Sequence, residues 1–220
     1  MIKALVLAGG ESSRMGTDKA LILWNGEPML ALVCRAVWGC CEDVSVLTPW
    51  PDRYRKTVES RLLPPTPSSN PSSDEKIRWL EESRPGRGPL LALAEGWQQI
   101  LMLASLQGED AQWLLLLGCD LPLLQPEILR RWASQLPNLP RHILALVPQR
   151  DGRWEPLCGF YRRPALEHLK EFIAAGGRPS LQKWLALLPV QPLILAETEA
   201  QMLLNCNRPS DLPHPPLPPL

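Results

Sequence analysis

The chain has 220 residues, with 23 basic and 23 acidic side chains and a formal net charge of zero. Balanced charge implies no broad basic face, which argues against nucleic acid or an anionic membrane surface as a partner. No apolar run approaches the roughly 20 residues that span a bilayer, and the N-terminus enters a strand with no signal-peptide pattern, so a cytoplasmic protein is expected.

An apolar run predicts a first strand over residues 2–8, followed by a loop over 9–20. The short apolar stretch Leu21–Trp24 ends in the turn signal Asn25-Gly26. Helical spacing of apolar residues covers 28–40, with Pro28 suited to the first turn. A second strand is read at Val44–Leu47, an amphipathic helix at Asp52–Leu62 and a third strand at Ile77–Leu80. Between the last two, residues 64–76 are rich in proline and serine and read as a mobile loop within the domain. A long helix runs from Gly88 to about Leu106, and Trp113–Leu117 is a continuous apolar run of the kind covered on both faces. A helix over 126–136 and a strand over 142–147 continue the alternation, which argues a mostly parallel sheet. The remainder is less regular: a strand near 156–161, a helix over 164–175, another from Ser180, and a strand near 190–195. Residues 1–212 form one domain in this reading, with a disordered proline-rich tail at 213–220.

The segment Leu7-Ala8-Gly9-Gly10, continuing to Arg14, Gly16 and Lys19, is the most informative in the chain. A strand opening into such a loop offers backbone N–H groups to a phosphate chain, because glycine permits bending and close approach. Arg14 and Lys19 add positive charge to the same loop, so it suits a nucleoside triphosphate. A Walker loop is excluded because Gly16 is followed by Thr17-Asp18-Lys19, and a dinucleotide fingerprint because Gly9 and Gly10 are adjacent. The bland alternative is a surface turn with incidental basic residues.

Asp120 follows the buried strand at 113–117 and shares the carboxyl edge of the sheet with that loop, where ligands of open α/β sheets sit. A carboxylate there can hold Mg²⁺ completed by phosphate oxygens and water; otherwise it caps the next helix. Glu82 ends the third strand on the same rim, to touch nucleotide or metal or to stand as solvated surface. Asn205 and Asn207 point the same way on an extended segment, and Arg178 with Ser180 could meet a second anion or form a plain helix connector. The six cysteines lack metal-ligand spacing and are expected as reduced, half-buried thiols; none of the three histidines adjoins a nucleophile.

The stretch Leu-Ala-Gly-Gly-x-Ser-x-Arg-Met-Gly-x-Asp-Lys at 7–19 resembles the molybdenum cofactor guanylyltransferase family. The landmarks Glu82-Ser83, Gly88-Pro89-Leu90, Cys119-Asp120-Leu121-Pro122, Glu155-Pro156-Leu157, Gly177-Arg178-Pro179-Ser180 and Asn205-Cys206-Asn207 follow in the family's order. The resemblance implies a three-layer α/β/α nucleotidyltransferase fold with a mostly parallel central sheet. It implies that Leu7, Ala8, Gly9, Gly10, Lys19, Glu82, Gly88 and Asp120 bind GTP, with Lys19, Arg14 and Asp120 catalytic and Asp120 on Mg²⁺. Arg178, Ser180, Asn205 and Asn207 become candidates for the acceptor, molybdopterin with or without molybdenum. Transient contact with molybdenum-insertion proteins and acceptor molybdoenzymes is also implied. Two positions depart from the pattern: Glu82 where aspartate is usual, and Ala92 where glycine is common. The same chemistry on another base or acceptor, in a cytidylyl- or sugar-nucleotidyltransferase, is the alternative; a nucleotide-binding regulatory protein has little need of both Lys19 and Asp120.

Overall fold

The computed structural model describes residues 1–10, 18–41, 43–62, 77–176 and 179–206. The expected loop at 64–76 and tail at 213–220 lie outside those residues, as do the site candidates Arg14, Arg178 and Asn207.

The chain starts in β1 (Ile2–Leu7), then passes a single 3₁₀ turn (Lys19–Leu21) and the two-residue strands β2 (Leu23–Trp24) and β3 (Glu27–Pro28). Helix α1 (Met29–Val37), β4 (Asp43–Thr48), α2 (Pro51–Leu62), β5 (Ile77–Glu81), α3 (Pro89–Leu106) and β6 (Trp113–Gly118) complete the alternating part. The second part runs α4 (Pro126–Ala133), β7 (Ala145–Arg150), β8 (Arg153–Trp154), β9 (Cys158–Arg162), α5 (Ala165–Ala174), α6 (Leu181–Leu185), β10 (Val190–Ile194) and α7 (Glu197–Met202). The main sheet has the order β10-β7-β9-β6-β1-β4-β5, with β8 paired to β7. It is mostly parallel, but β9 runs antiparallel to both β6 and β7.

All six residues of β6 are buried, as a strand covered on both faces requires. Its side chains alternate between two cores. Trp113, Leu115 and Leu117 face a layer built from α1, α2, α4 and α7, whereas Leu114 and Leu116 face α3, α5 and α6. The α3-side core is anchored by Tyr161, stacked on Trp184 at 5.4 Å and edge-on to Trp97 at 6.3 Å. Three layers result, and they bring the carboxyl ends of β1, β4 and β6 to one edge.

Several predicted boundaries shift for local reasons. The strand expected at 142–147 is Ala145–Arg150, because its polar end pairs with β8 across a two-residue hairpin. Asp151 and Gly152 form that turn with positive φ of 50° and 75°, the conformation that Asp-Gly favours between strands. The sequence reading overlooked this signal, although it recognised the equivalent Asn25-Gly26 turn between β2 and β3. The helix expected to reach residue 40 stops at Val37, where its carbonyl accepts from both Cys40 and Cys41 amides. The helix expected over 126–136 divides into α4 and a 3₁₀ turn at Leu136–Asn138. Helix α7 was not anticipated; Glu199 holds its start, accepting from the Ala196 amide at 2.7 Å and the Trp132 indole at 3.1 Å.

The opposite edge of the sheet carries a buried cation. Lys3 is 3% exposed and reaches Asp43 at 2.5 Å and Glu109 at 2.6 Å. Desolvation opposes its charge, but the two carboxylates prevail and raise its pKa. A raised lysine pKa stabilises the fold across neutral pH and is lost only as pH climbs through the folded value. Lys3→Ala strands two partly solvated carboxylates, so a loss of about 2–3 kcal/mol is expected in urea unfolding at pH 7. An unchanged midpoint would mean that the cluster contributes nothing.

Candidate active site

In the sheet register, Leu7 lies opposite Leu47 on one side and Gly118 on the other. The Ala8 amide donates to the Leu47 carbonyl at 2.9 Å and the Cys119 amide to the Leu7 carbonyl at 3.2 Å. Thus the parallel ladder itself delivers Gly9-Gly10 and Asp120 to the same edge. A third segment arrives through the Glu82 amide, which donates to the Thr48 carbonyl at 2.9 Å. The N-terminus of α3 closes the far side, with Gly88 at the cap position.

A cavity of about 460 Å³ opens between these segments. Its walls include every described GTP candidate: Leu7, Ala8, Gly9, Gly10, Lys19, Glu82, Gly88 and Asp120. Such a volume lies within the roughly 300–1,000 Å³ of small-ligand sites. Asp120 does not cap the following helix, since Gln125 occupies the cap of α4. Its carboxylate instead stands 3.8 Å from the Lys19 ammonium. Burial raises the Asp120 pKa, and Lys19 partly offsets the shift.

Glu82 is 7% exposed, which rules out its reading as solvated surface. Burial, then the nearby Glu95 charge, push its carboxyl above the usual range. It also crowds the glycine loop: a Cβ on Gly9 would stand 2.0 Å from Glu82 Oε2 and 3.2 Å from Pro49 Cδ. Glycine at this position therefore lets the carboxylate and loop share the cavity floor. Gly9→Ala should displace Glu82 and weaken binding of the expected nucleoside triphosphate on the order of tenfold, measured by calorimetry. Unchanged affinity would show that the carboxylate swings aside freely.

Burial pushes the neighbouring Cys119 thiol up to about 12, so it is no thiolate nucleophile at neutral pH. Cys34, Cys41, Cys158 and Cys206 are buried and only Cys40 and Cys119 intermediate, correcting the expectation that most are half-buried. Among the described residues no group of three or more His, Cys, Asp or Glu side chains could by itself hold a metal ion. The donor set nevertheless fits Mg²⁺ in one manner: a desolvated carboxylate at Asp120 would supply one ligand, and phosphate oxygens and water the rest.

The acceptor candidates fare differently. The Cys206 amide donates to the Asp120 carbonyl at 3.0 Å, drawing this segment to the nucleotide edge. Asn205 lines a smaller pocket of about 90 Å³ with Glu155, Pro156 and Leu157. Leu157 also borders the larger cavity, so the two adjoin. Ser180 lines neither; its hydroxyl caps α6, accepting from the Lys183 amide at 3.4 Å.

The sequence reading gave no role to Asp18, although Asp18 stood within the quoted motif. Asp18 borders the cavity and meets Tyr54 and Arg53 of α2. The residue type is the one sequence signal of its capping role; the structure supplies the β-region backbone and the bond to the Ala20 amide. Nothing local pointed to Tyr54.

Known proteins are similar to this chain in sequence and in fold. Residues 4–191 match the model of the MobA-like NTP transferase domain family. A relative from Nostoc sp., named "probable molybdenum cofactor guanylyltransferase", is 44% identical over 96% of this chain and 88% of its own. The molybdenum cofactor guanylyltransferase of Pseudomonas entomophila is 30% identical over 93% of both chains. Among solved structures, molybdopterin-guanine dinucleotide biosynthesis protein A from Archaeoglobus fulgidus superposes with a TM-score of 0.67 at 19% identity, covering 96% of this chain and 94% of that one. With a glycine loop, a lysine and an aspartate converging at the edge of such a sheet, and this breadth of sequence agreement, the chain belongs to the MobA-like NTP transferase family.

Proposed function

We propose that this protein transfers GMP from GTP to the terminal phosphate of molybdopterin, releasing pyrophosphate and forming a guanine dinucleotide cofactor. One observation carries the reading: Gly9-Gly10, Lys19 and Asp120 converge on one cavity in a chain similar throughout its length to guanylyltransferases.

In this reaction an oxygen of the molybdopterin phosphate attacks the α-phosphorus of GTP. The bond from that phosphorus to the bridging oxygen breaks, and pyrophosphate carries away the electron pair. The protein's task is positioning and charge stabilisation. Backbone amides of the Gly9-Gly10 loop hold the β- and γ-phosphates, and Arg14 neutralises part of their charge. Lys19 follows charge as it builds on the α-phosphoryl oxygens and the leaving group. Asp120 would hold Mg²⁺, whose charge would lower the repulsion between two anionic reactants. A phosphate monoester is already largely ionised near pH 7, so the nucleophile needs no general base. This agrees with a cavity wall that carries no histidine among its described residues.

Asn205, beside the second pocket, is the described acceptor candidate best situated to touch molybdopterin. Arg178 and Asn207 complete the proposed acceptor set, whereas Ser180 serves as the cap of α6. We place the reaction in the cytoplasm, where GTP is at hand; no helix among the described residues is long and apolar enough to cross a membrane. Molybdenum-insertion proteins and acceptor molybdoenzymes are the proposed transient partners.

Titration of GTP, CTP, ATP and UTP with and without Mg²⁺ tests the reading. Preference for Mg-GTP, followed by transfer of labelled GMP to molybdopterin, is the expected result. Preference for CTP or UTP would overturn guanylyl transfer while keeping the triphosphate site, and no binding of any triphosphate would overturn the site.

A further inference from the structure

Asp18 uses both oxygens of its carboxylate. Oδ1 accepts from the Ala20 amide at 3.1 Å, the bond expected of a residue capping the short turn Lys19–Leu21. Oδ2 does something capping does not require: it accepts from the Tyr54 hydroxyl at 2.7 Å and pairs with Arg53 Nε at 3.1 Å. Both partners belong to α2, which begins 33 residues after Asp18 and packs against α1 and β5. Arg53 is steadied in turn over the Trp50 ring at 5.6 Å.

Tyr54 is 1% exposed. Burial first, and then the adjacent Asp18 charge, push its phenol far above the ordinary range. It therefore remains a protonated donor at every pH at which an enzyme of this kind would work. A buried phenol aimed at a carboxylate within hydrogen-bond reach is a rigid link, because a tyrosine ring has few torsions to relax. The residue that follows Asp18 is Lys19, whose ammonium stands 3.8 Å from Asp120 at the end of β6. The backbone between them is too short to absorb movement of Asp18. Lys19 is thus strung between two anchors, the α2 layer through Asp18 and the strand edge through Asp120.

We propose that Tyr54 is a positioning residue which, acting through Asp18, sets the Lys19 ammonium over the transferring phosphate. The proposal rests on the reading of Lys19 as the group that stabilises developing charge. It separates two functions within Asp18: the Oδ1 bond shapes the turn, and the Oδ2 bonds aim the lysine. Misplacement of a catalytic group by about 1 Å can cost up to about a hundredfold in rate. Loss of one of two Oδ2 contacts should cost less.

Tyr54→Phe keeps the ring and the cap and removes only the hydroxyl. We expect kcat to fall about tenfold, with KM for Mg-GTP within about twofold. Asp18→Asn leaves an amide oxygen for Ala20 but puts an NH₂ group where Tyr54 and Arg53 donate, so it should show the same split. The double variant should be little worse than the worse single variant, because both sever one link. A second readout does not depend on turnover: acylation of Lys19 by an amine-reactive ester, followed by mass spectrometry, should quicken at least about threefold in Tyr54→Phe as the ammonium leaves its fixed place. Lowered thermal stability with unchanged kcat, KM and labelling would overturn the proposal and leave Tyr54 a packing residue. If the unaltered protein transfers no GMP, the proposed function fails, and the labelling ratio still decides whether Tyr54 holds Lys19.

Discussion

Replacing Asp120 by asparagine is expected to remove nearly all GMP transfer while leaving the protein at least as stable as before. The two effects share one cause. Asp120 lies largely buried at the end of β6, and desolvation raises its pKa despite the nearby Lys19. A carboxyl whose folded pKa exceeds its unfolded value favours the folded state most when protonated. Its contribution therefore diminishes as pH rises from the unfolded value through the folded one, and near pH 7 the ionised group is a net cost. Asparagine has the same shape without the charge. Thermal unfolding at pH 7 should shift upward by about 2–4 °C, which corresponds to roughly 1 kcal/mol in a chain of this size. If Asp120 holds the metal as proposed, turnover should fall by on the order of 10³-fold, because an amide is a poor ligand for a divalent cation and the charge balancing Lys19 is gone. Below about pH 4 the stability advantage should vanish, since the native carboxyl then carries its proton. A variant that is both inactive and markedly less stable would show that Asp120 holds the edge of the sheet together. Retained turnover would remove it from the proposed mechanism.

Lys19→Ala should produce the largest separation between rate and binding. Lys19 reaches Asp120 across the cavity from a short 3₁₀ turn and is partly exposed, as a group must be to meet an arriving phosphate. If its charge is matched to the transition state, its loss should lower kcat on the order of 10²–10³-fold, in the range found when one preorganised donor is removed. Mg-GTP affinity should weaken by less than about tenfold, because in the proposed site the backbone of Gly9-Gly10 and the metal would still hold the triphosphate. Single-turnover transfer and calorimetric titration together measure both quantities. A loss confined to KM would mean that Lys19 binds substrate and transition state equally. Arginine at this position should rescue little, since a planar fork on a longer arm does not reproduce the point charge of an ammonium.

The parts of this protein legible in its sequence are those that depend on near neighbours. The apolar runs at 4–7 and 113–117 announce strands, and the unbroken second run announces one covered on both faces, because a sheet buried on both sides needs apolar residues at every position. The alternation of strand and helix up to residue 118 dictates parallel pairing, and parallel pairing in turn carries the glycine loop and Asp120 to one edge. That is why eight GTP candidates chosen along the chain border one cavity.

Other features arise only when distant segments meet. The burial of Glu82 follows from the approach of Gly9, 73 positions earlier in the chain, and a glutamate at a strand end carries no local mark of it. The antiparallel insertion of β9 between β6 and β7 depends on a hairpin, Asp151-Gly152, that reverses the chain just before it. The capping role of Ser180 and the bond of Cys206, beside Asn205, to Asp120 are separable only once α6 and the segment after α7 have docked. Tyr54 is the plainest case: in sequence it is one aromatic on an otherwise polar helix, with the spacing of a core residue. Local composition determined the strands, the glycine loop and the charges beside it. Tertiary packing decided which carboxylates lost their water and which hydroxyl found Asp18, because desolvation and hydrogen bonding over long sequence distances depend on how the layers close rather than on neighbouring residues.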